Sequence, residues 1–118
     1  MDNKQAGSIR QFLECVQTLD PGLVLLFGSL ATGDYTQYSD VDVLVVFDRH
    51  VDWLEVYSCS DGIVQPVVKT WAELIDQINQ GEPFYLQMLK EGVTLFEAGD
   101  QFTNLKSQIL PESLDNSQ

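Results

Sequence analysis

One histidine (His50), two cysteines (Cys15 and Cys59) and six lysines and arginines are all that this chain of 118 residues carries of those types. Each scarcity excludes something. One histidine and two cysteines leave no four-ligand set for a structural zinc. Two thiols in a chain with no secretory features read as buried and reduced rather than bridged. The six cations, Lys4, Arg10, Arg49, Lys69, Lys90 and Lys106, are scattered and face eighteen acidic residues, for a net charge of −12. A protein that grips a polynucleotide needs clustered cations to displace counterions, so long RNA or DNA is a poor candidate ligand. A small anion carried in with a divalent cation, or a basic protein, is compatible with that charge. No apolar run approaches the ~18 residues of a membrane span. The first residues, MDNKQAGSIRQ, lack the basic-then-apolar layout of a signal peptide. These absences predict a cytoplasmic protein with no membrane partner. There is no internal repeat, no low-complexity segment and no G-x-x-x-x-G-K-[ST] phosphate loop.

The apolar residues that are present fall into two periodicities. Ile9, Phe12, Leu13, Val16 and Leu19 recur at helical spacing behind Ser8, a suitable N-cap, and Asp20-Pro21-Gly22 closes that helix in a turn. Residues 23–27 and 41–47 are continuous apolar runs of strand length, as suits strands buried on both faces. Between them Gly28-Ser29 breaks the first run, residues 30–32 form one helical turn capped by Ser29 and stopped by Gly33, and residues 34–39 are polar loop. Residues 51–57 read as helix. Residues 63–69 read as a third strand, in which Pro66 removes a backbone donor and demands an edge or a bulge. Thr70 opens a capping-box pattern, T-W-A-E, and a helix to Asn79; Pro83 begins another, to Lys90. A short strand at 93–96 and a helix at 101–110 complete the pattern. The alternation predicts an α/β (α+β) domain: a small mixed sheet of about four strands packed by helices. It fills residues 1–110 as a single domain, with a disordered tail at 111–118.

The chemistry lies in LLFGSLATGDYTQYSDVDVLVVF, residues 25–47. Asp40 and Asp42 open the second strand with one valine between them. Alternate strand residues share a face, so the carboxylates stand about 7 Å apart. At an effective dielectric near 20 they repel by roughly 2–3 kcal/mol. A fold does not hold that arrangement for its own sake; a cation normally sits between. Carboxylate oxygens suit Mg2+, which keeps waters and completes its shell with substrate phosphates. Two such ions can clamp the attacking and leaving oxygens of a phosphoryl or nucleotidyl transfer. Gly28 lets backbone approach a ligand closely, and Ser29 adds a hydroxyl and unpaired N–H groups suited to phosphate. Taken singly, Gly-Ser is usually a plain strand-to-helix turn and Asp-Val-Asp a solvated strand start.

Together, Gly28-Ser29, ten intervening residues and Asp40-Val41-Asp42 form the pattern G-S-x10-D-x-D. It resembles that of the DNA polymerase beta-like nucleotidyltransferase superfamily. The small size and the G-S-L-A-T-G run resemble its minimal nucleotidyltransferase (MNT) branch, and VQPVVKTWAELIDQINQGEPFYLQMLKEGVTLFEAGD is similar to the later strand, paired helices and final strand of those domains. The resemblance covers roughly residues 9–100. It implies the nucleotidyltransferase fold, metal binding by Asp40 and Asp42 (one or two Mg2+ ions), and a hold on the triphosphate tail of ATP by Gly28 and Ser29. It also implies a helical HEPN partner in a toxin–antitoxin pair, to which AMP is transferred, within a homo- or hetero-oligomer.

Two departures from the branch stand out. Thr32 occupies a position where many relatives carry arginine. The superfamily's third carboxylate aligns with Gln65, which can ligate through its carbonyl but cannot act as a base; Asp61 and Glu55 are the nearby substitutes. Trp53 and Trp71 read as packing between helix and sheet, Tyr35 and Tyr38 as loop residues that could pack on a base, and Lys69 as a candidate phosphate contact. His50 receives no role. The competing readings are a protein of this fold that acts only by binding its partner, and an antibiotic-type transferase, for which 118 residues leave no second acceptor domain.

Overall fold

The two apolar runs become the middle of a four-stranded sheet. The computed structural model describes residues 3–110; the tail read as disordered, 111–118, lies outside the described residues. Strands β1 (Leu23–Phe27) and β2 (Val41–Phe47) pair antiparallel. Beside β2, β3 (Val64–Thr70) runs parallel, and beside β1, β4 (Val93–Glu97) runs antiparallel, giving the order β3-β2-β1-β4. Pro66 therefore sits in an edge strand, as its missing donor requires. Trp53 closes the edge at that point, its Nε1 donating to the Pro66 carbonyl at 2.8 Å.

Helices cover both faces. Strand alternation sends Val24, Leu26, Val43, Val45 and Phe47 to one side, against Ile9, Phe12 and Val16 of α1 (Asn3–Val16) and Val56 of α3 (Trp53–Tyr57). Leu23, Leu25, Leu44 and Val46 face the other side. There they meet Trp71, Leu74 and Ile78 of α4 (Trp71–Asn79), Met88 and Leu89 of α5 (Pro83–Glu91) and Phe102 of α6 (Gln101–Ile109). Each such side chain, fully buried, contributes about 1.5–3 kcal/mol. The short α2 (Ser29–Thr32) follows β1 directly.

The capping box appears as expected: Thr70 Oγ1 accepts from Glu73 N at 3.1 Å, and Glu73 Oε1 accepts from Thr70 N at 2.8 Å. Three expectations are corrected. Helix α1 starts at Asn3, so Ser8 lies inside it, buried, and its hydroxyl donates to Asp61 Oδ2 at 2.6 Å. A capping residue with a tertiary partner has no need of the helix end. The N-cap of α2 is Gly28, with no side-chain cap from Ser29. Cys15 and Cys59, read as reduced thiols, are joined in a disulfide. Composition carries no information on proximity, and here α1 and the turn after α3 bring their Cα atoms to 5.4 Å, within bridging range.

Candidate functional site

The register aligns the site residues in a row across one end of the sheet. Asp42 pairs with Phe27 on one side and with Gln65 on the other. Alternation puts Asp42 on the face of Leu44 and Val46, and Gln65 on the face of Val67, which is the face that carries α4, α5 and α6. Asp40 stands just outside β2 and is exposed. The Asp42 carboxyl is held above the usual aspartate range, first by burial and then by the charge of Asp40.

Gly28 belongs to the same site through its backbone. Its φ of 76° lies where L-residues rarely go, and a Cβ placed there would come within 2.5 Å of Asp42 Oδ2. The turn after β1 and the start of β2 thus pack backbone against carboxylate, a contact only glycine allows. Ser29 opens α2, whose first turn is held by Ala31 N donating to the Gly28 carbonyl at 3.0 Å. A cleft of 290 Å³ follows, with Phe27, Gly28, Thr32 and Asp42 on one wall and Phe84, Gln87, Met88, Glu91 and Gly92 on the other. Thr32 thus faces the cleft at the position where an arginine was missed. Asp40 borders a separate depression together with Lys4 and Tyr38.

Gln65 is brought beside Asp42, with its Nε2 donating to the Gly62 carbonyl at 2.9 Å. Asp61 is committed elsewhere: it accepts from Ser8 and, through Oδ1, from Ile63 N at 3.0 Å. Glu55 sits in the first turn of α3. Lys69 pairs with Val46, four residues along β2 from Asp42 and so about 13 Å away. Tyr38 is 85% exposed, Tyr35 packs partly on the first core, and Trp71 is buried in the second. Among the described residues no group of three or more His, Cys, Asp or Glu side chains is placed to hold a metal; Asp40 and Asp42 stand as a pair.

The cleft wall from α5 was missed in the sequence. Its signal lies in spacing: Phe84, Gln87, Met88 and Glu91 stand at i, i+3, i+4 and i+7, one face of a helix. Gly92 then turns the chain into β4 where there is no room for a side chain, since a Cβ would meet the Met88 carbonyl at 2.5 Å and Leu25 Cδ2 at 2.8 Å.

Residues 9–91 match the family model described as nucleotidyltransferase domain. A Methanocaldococcus jannaschii protein named as a candidate protein adenylyltransferase is 32% identical over 97 residues, spanning 75% of this chain and 95% of that one. Among solved structures, a toxin–antitoxin crystal structure with AMP-PNP aligns at TM-score 0.57 and 18% identity, over 90% of this chain and 86% of that one. A complex of tri-AMPylated Shewanella oneidensis HEPN toxin with MNT antitoxin aligns at TM-score 0.54 and 15% identity, over 94% and 87%. At those identities the likeness is one of fold. The matched span holds both the Gly28 turn and the Asp40–Asp42 strand start that the fold packs together, and the chain belongs to the nucleotidyltransferase domain family.

Proposed function

We propose that this protein is a Mg2+-dependent nucleotidyltransferase that moves AMP from ATP to a protein hydroxyl, as the antitoxin of a HEPN/MNT pair acting in the cytoplasm. The observation that carries this reading is the close approach of Gly28 to Asp42 with Asp40 alongside. The donor set fits the metal: two hard carboxylates, one with its proton affinity raised by burial and then by the charge of the other. When bound, Mg2+ neutralises the triphosphate and the departing pyrophosphate. Asp40 and Asp42 hold it. Gly28 leaves room for phosphate oxygens, and the Ser29 hydroxyl donates to them. The charge of −12 favours a basic protein surface over RNA as acceptor, and so a hetero-oligomer with a HEPN-family helical protein as partner. The names of the relatives point the same way.

A second reading, binding without efficient catalysis, is favoured by one observation. Gln65, the residue that aligns with the superfamily's third carboxylate, stands in register beside Asp42, and Asp61 is tied to Ser8. Base assistance is typically worth 10²–10⁴-fold, so its loss slows transfer while Mg-ATP binding survives. The test is transfer of label from ATP labelled at the α-phosphate to a co-expressed HEPN partner, with wild type and Gln65→Glu. We expect slow labelling by the wild type and a rise of at least about ten-fold in Gln65→Glu. A stable complex with no label from either form would establish the binding reading. Rapid labelling unchanged by Gln65→Glu would remove Gln65 from the third position.

A further inference from the structure

Phe84 is a large apolar side chain left 48% exposed at the start of α5, on the helix face that lines the cleft with Gly28 and Asp42. Its ring is not loose. It meets Phe27 edge-on at 5.6 Å and 88°, and Tyr85 at 5.2 Å and 78°. A ring fixed by two neighbours loses little rotamer freedom when a ligand lies on it. Met88 continues that apolar wall, and Phe27 adds an apolar ring from the facing one. The cleft therefore has two chemistries: a carboxylate and a bare glycine backbone on one side, and on the other an aromatic and thioether surface beside the polar Gln87 and Glu91. A ligand with a metal-bound polyphosphate at one end and a flat π-system at the other matches both, and 290 Å³ is near the lower end of small-molecule sites.

We propose that Phe84 is the stacking platform for the nucleobase, an inference that rests on the nucleoside triphosphate reading of Asp40 and Asp42. Stacking gains grow with ring overlap and read no hydrogen-bond pattern, so purines bind above pyrimidines and both above a polyphosphate with no base.

The test is calorimetric titration of the full-length protein, in excess Mg2+, with ATP, CTP and inorganic tripolyphosphate. The wild type should hold Mg-ATP about ten-fold more tightly than Mg-tripolyphosphate, with CTP between them. Phe84→Ala should bring all three to the tripolyphosphate affinity, and Phe84→Trp should keep the order. Because Phe84 is half in solvent, Phe84→Ala should melt close to the wild type, and Phe84→Trp supplies the answer if it does not. A wild type that binds ATP and tripolyphosphate equally, or an undiminished ATP preference in Phe84→Ala, overturns the platform and leaves the metal–phosphate site standing. Retention of both ligands by Asp42→Asn overturns the site reading instead, and the platform with it.

Discussion

The turn before β3 and the start of β2 each present an aspartate, and the fold treats the two in opposite ways. At the turn, Asp61 accepts from the Ser8 hydroxyl and the Ile63 amide, and Lys4 adds its charge; these hold its carboxyl below the usual range. At the strand start, no hydrogen bond reaches the Asp42 carboxylate among the described residues, while burial and Asp40 raise its pKa. The pH dependences have opposite sign. Asp61 stabilises the fold above the ordinary aspartate pKa, and that contribution is lost as pH falls through its lowered value. Asp42 is tolerated best when protonated, and what it contributes below the ordinary pKa is lost as pH rises through its raised value. At neutral pH one carboxylate holds α1 to the turn before β3, and the other is kept at a cost that a cation would remove. That is the physical difference between an acid the fold uses and one it holds uncompensated.

The largest effect is expected on the Asp61 side of the molecule. The Cys15–Cys59 bridge, two residues before Asp61, spans a sequence separation of 44. Chain entropy for such a loop amounts to about 4 kcal/mol, and measured losses for native bridges run about 2–5 kcal/mol. Reduction, or Cys15→Ser with Cys59→Ser, should lower the melting temperature by on the order of 10 °C. The further rise produced by Mg-ATP, read in the same melts, should survive. Loss of that rise on reduction would mean that the two regions are not independent.

Ser8→Ala should have a smaller effect. It removes a hydrogen bond to an ionised but exposed carboxylate, and about 1 kcal/mol of stability at pH 7 is expected, measured from the urea midpoint. The difference should shrink as the pH falls from the ordinary aspartate pKa through the lowered value of Asp61. A difference that stays constant until Asp61 has fully protonated would show that Ser8 matters through packing alone.

The strands and the helix capped by Thr70 were legible in the sequence because each rests on a local rule. Continuous apolar runs became β1 and β2, Pro66 fell on an edge, and Thr70-Trp71-Ala72-Glu73 closed its box. The Gly28–Ser29 and Asp40–Asp42 pairing was legible as a spaced pattern, though the spacing could not say that Gly28 lies against the Asp42 oxygen. What stayed hidden depends on distant partners. Ser8 looked like a cap until Asp61 claimed its hydroxyl, the two thiols met only through packing, and the α5 wall became visible only once Gly92 had turned it across the end of the sheet.

The most direct measurement is the melting temperature of Asp40→Asn/Asp42→Asn at pH 7, with and without Mg-ATP. Any ligand selective for the native state raises the wild-type melting temperature. If the two carboxylates are held for a cation, the double variant should lose that rise. Its metal-free form should also melt above the metal-free wild type, by up to about 2 kcal/mol of relieved repulsion. An Mg-ATP rise undiminished in the double variant, with a metal-free form no more stable than wild type, would contradict the account.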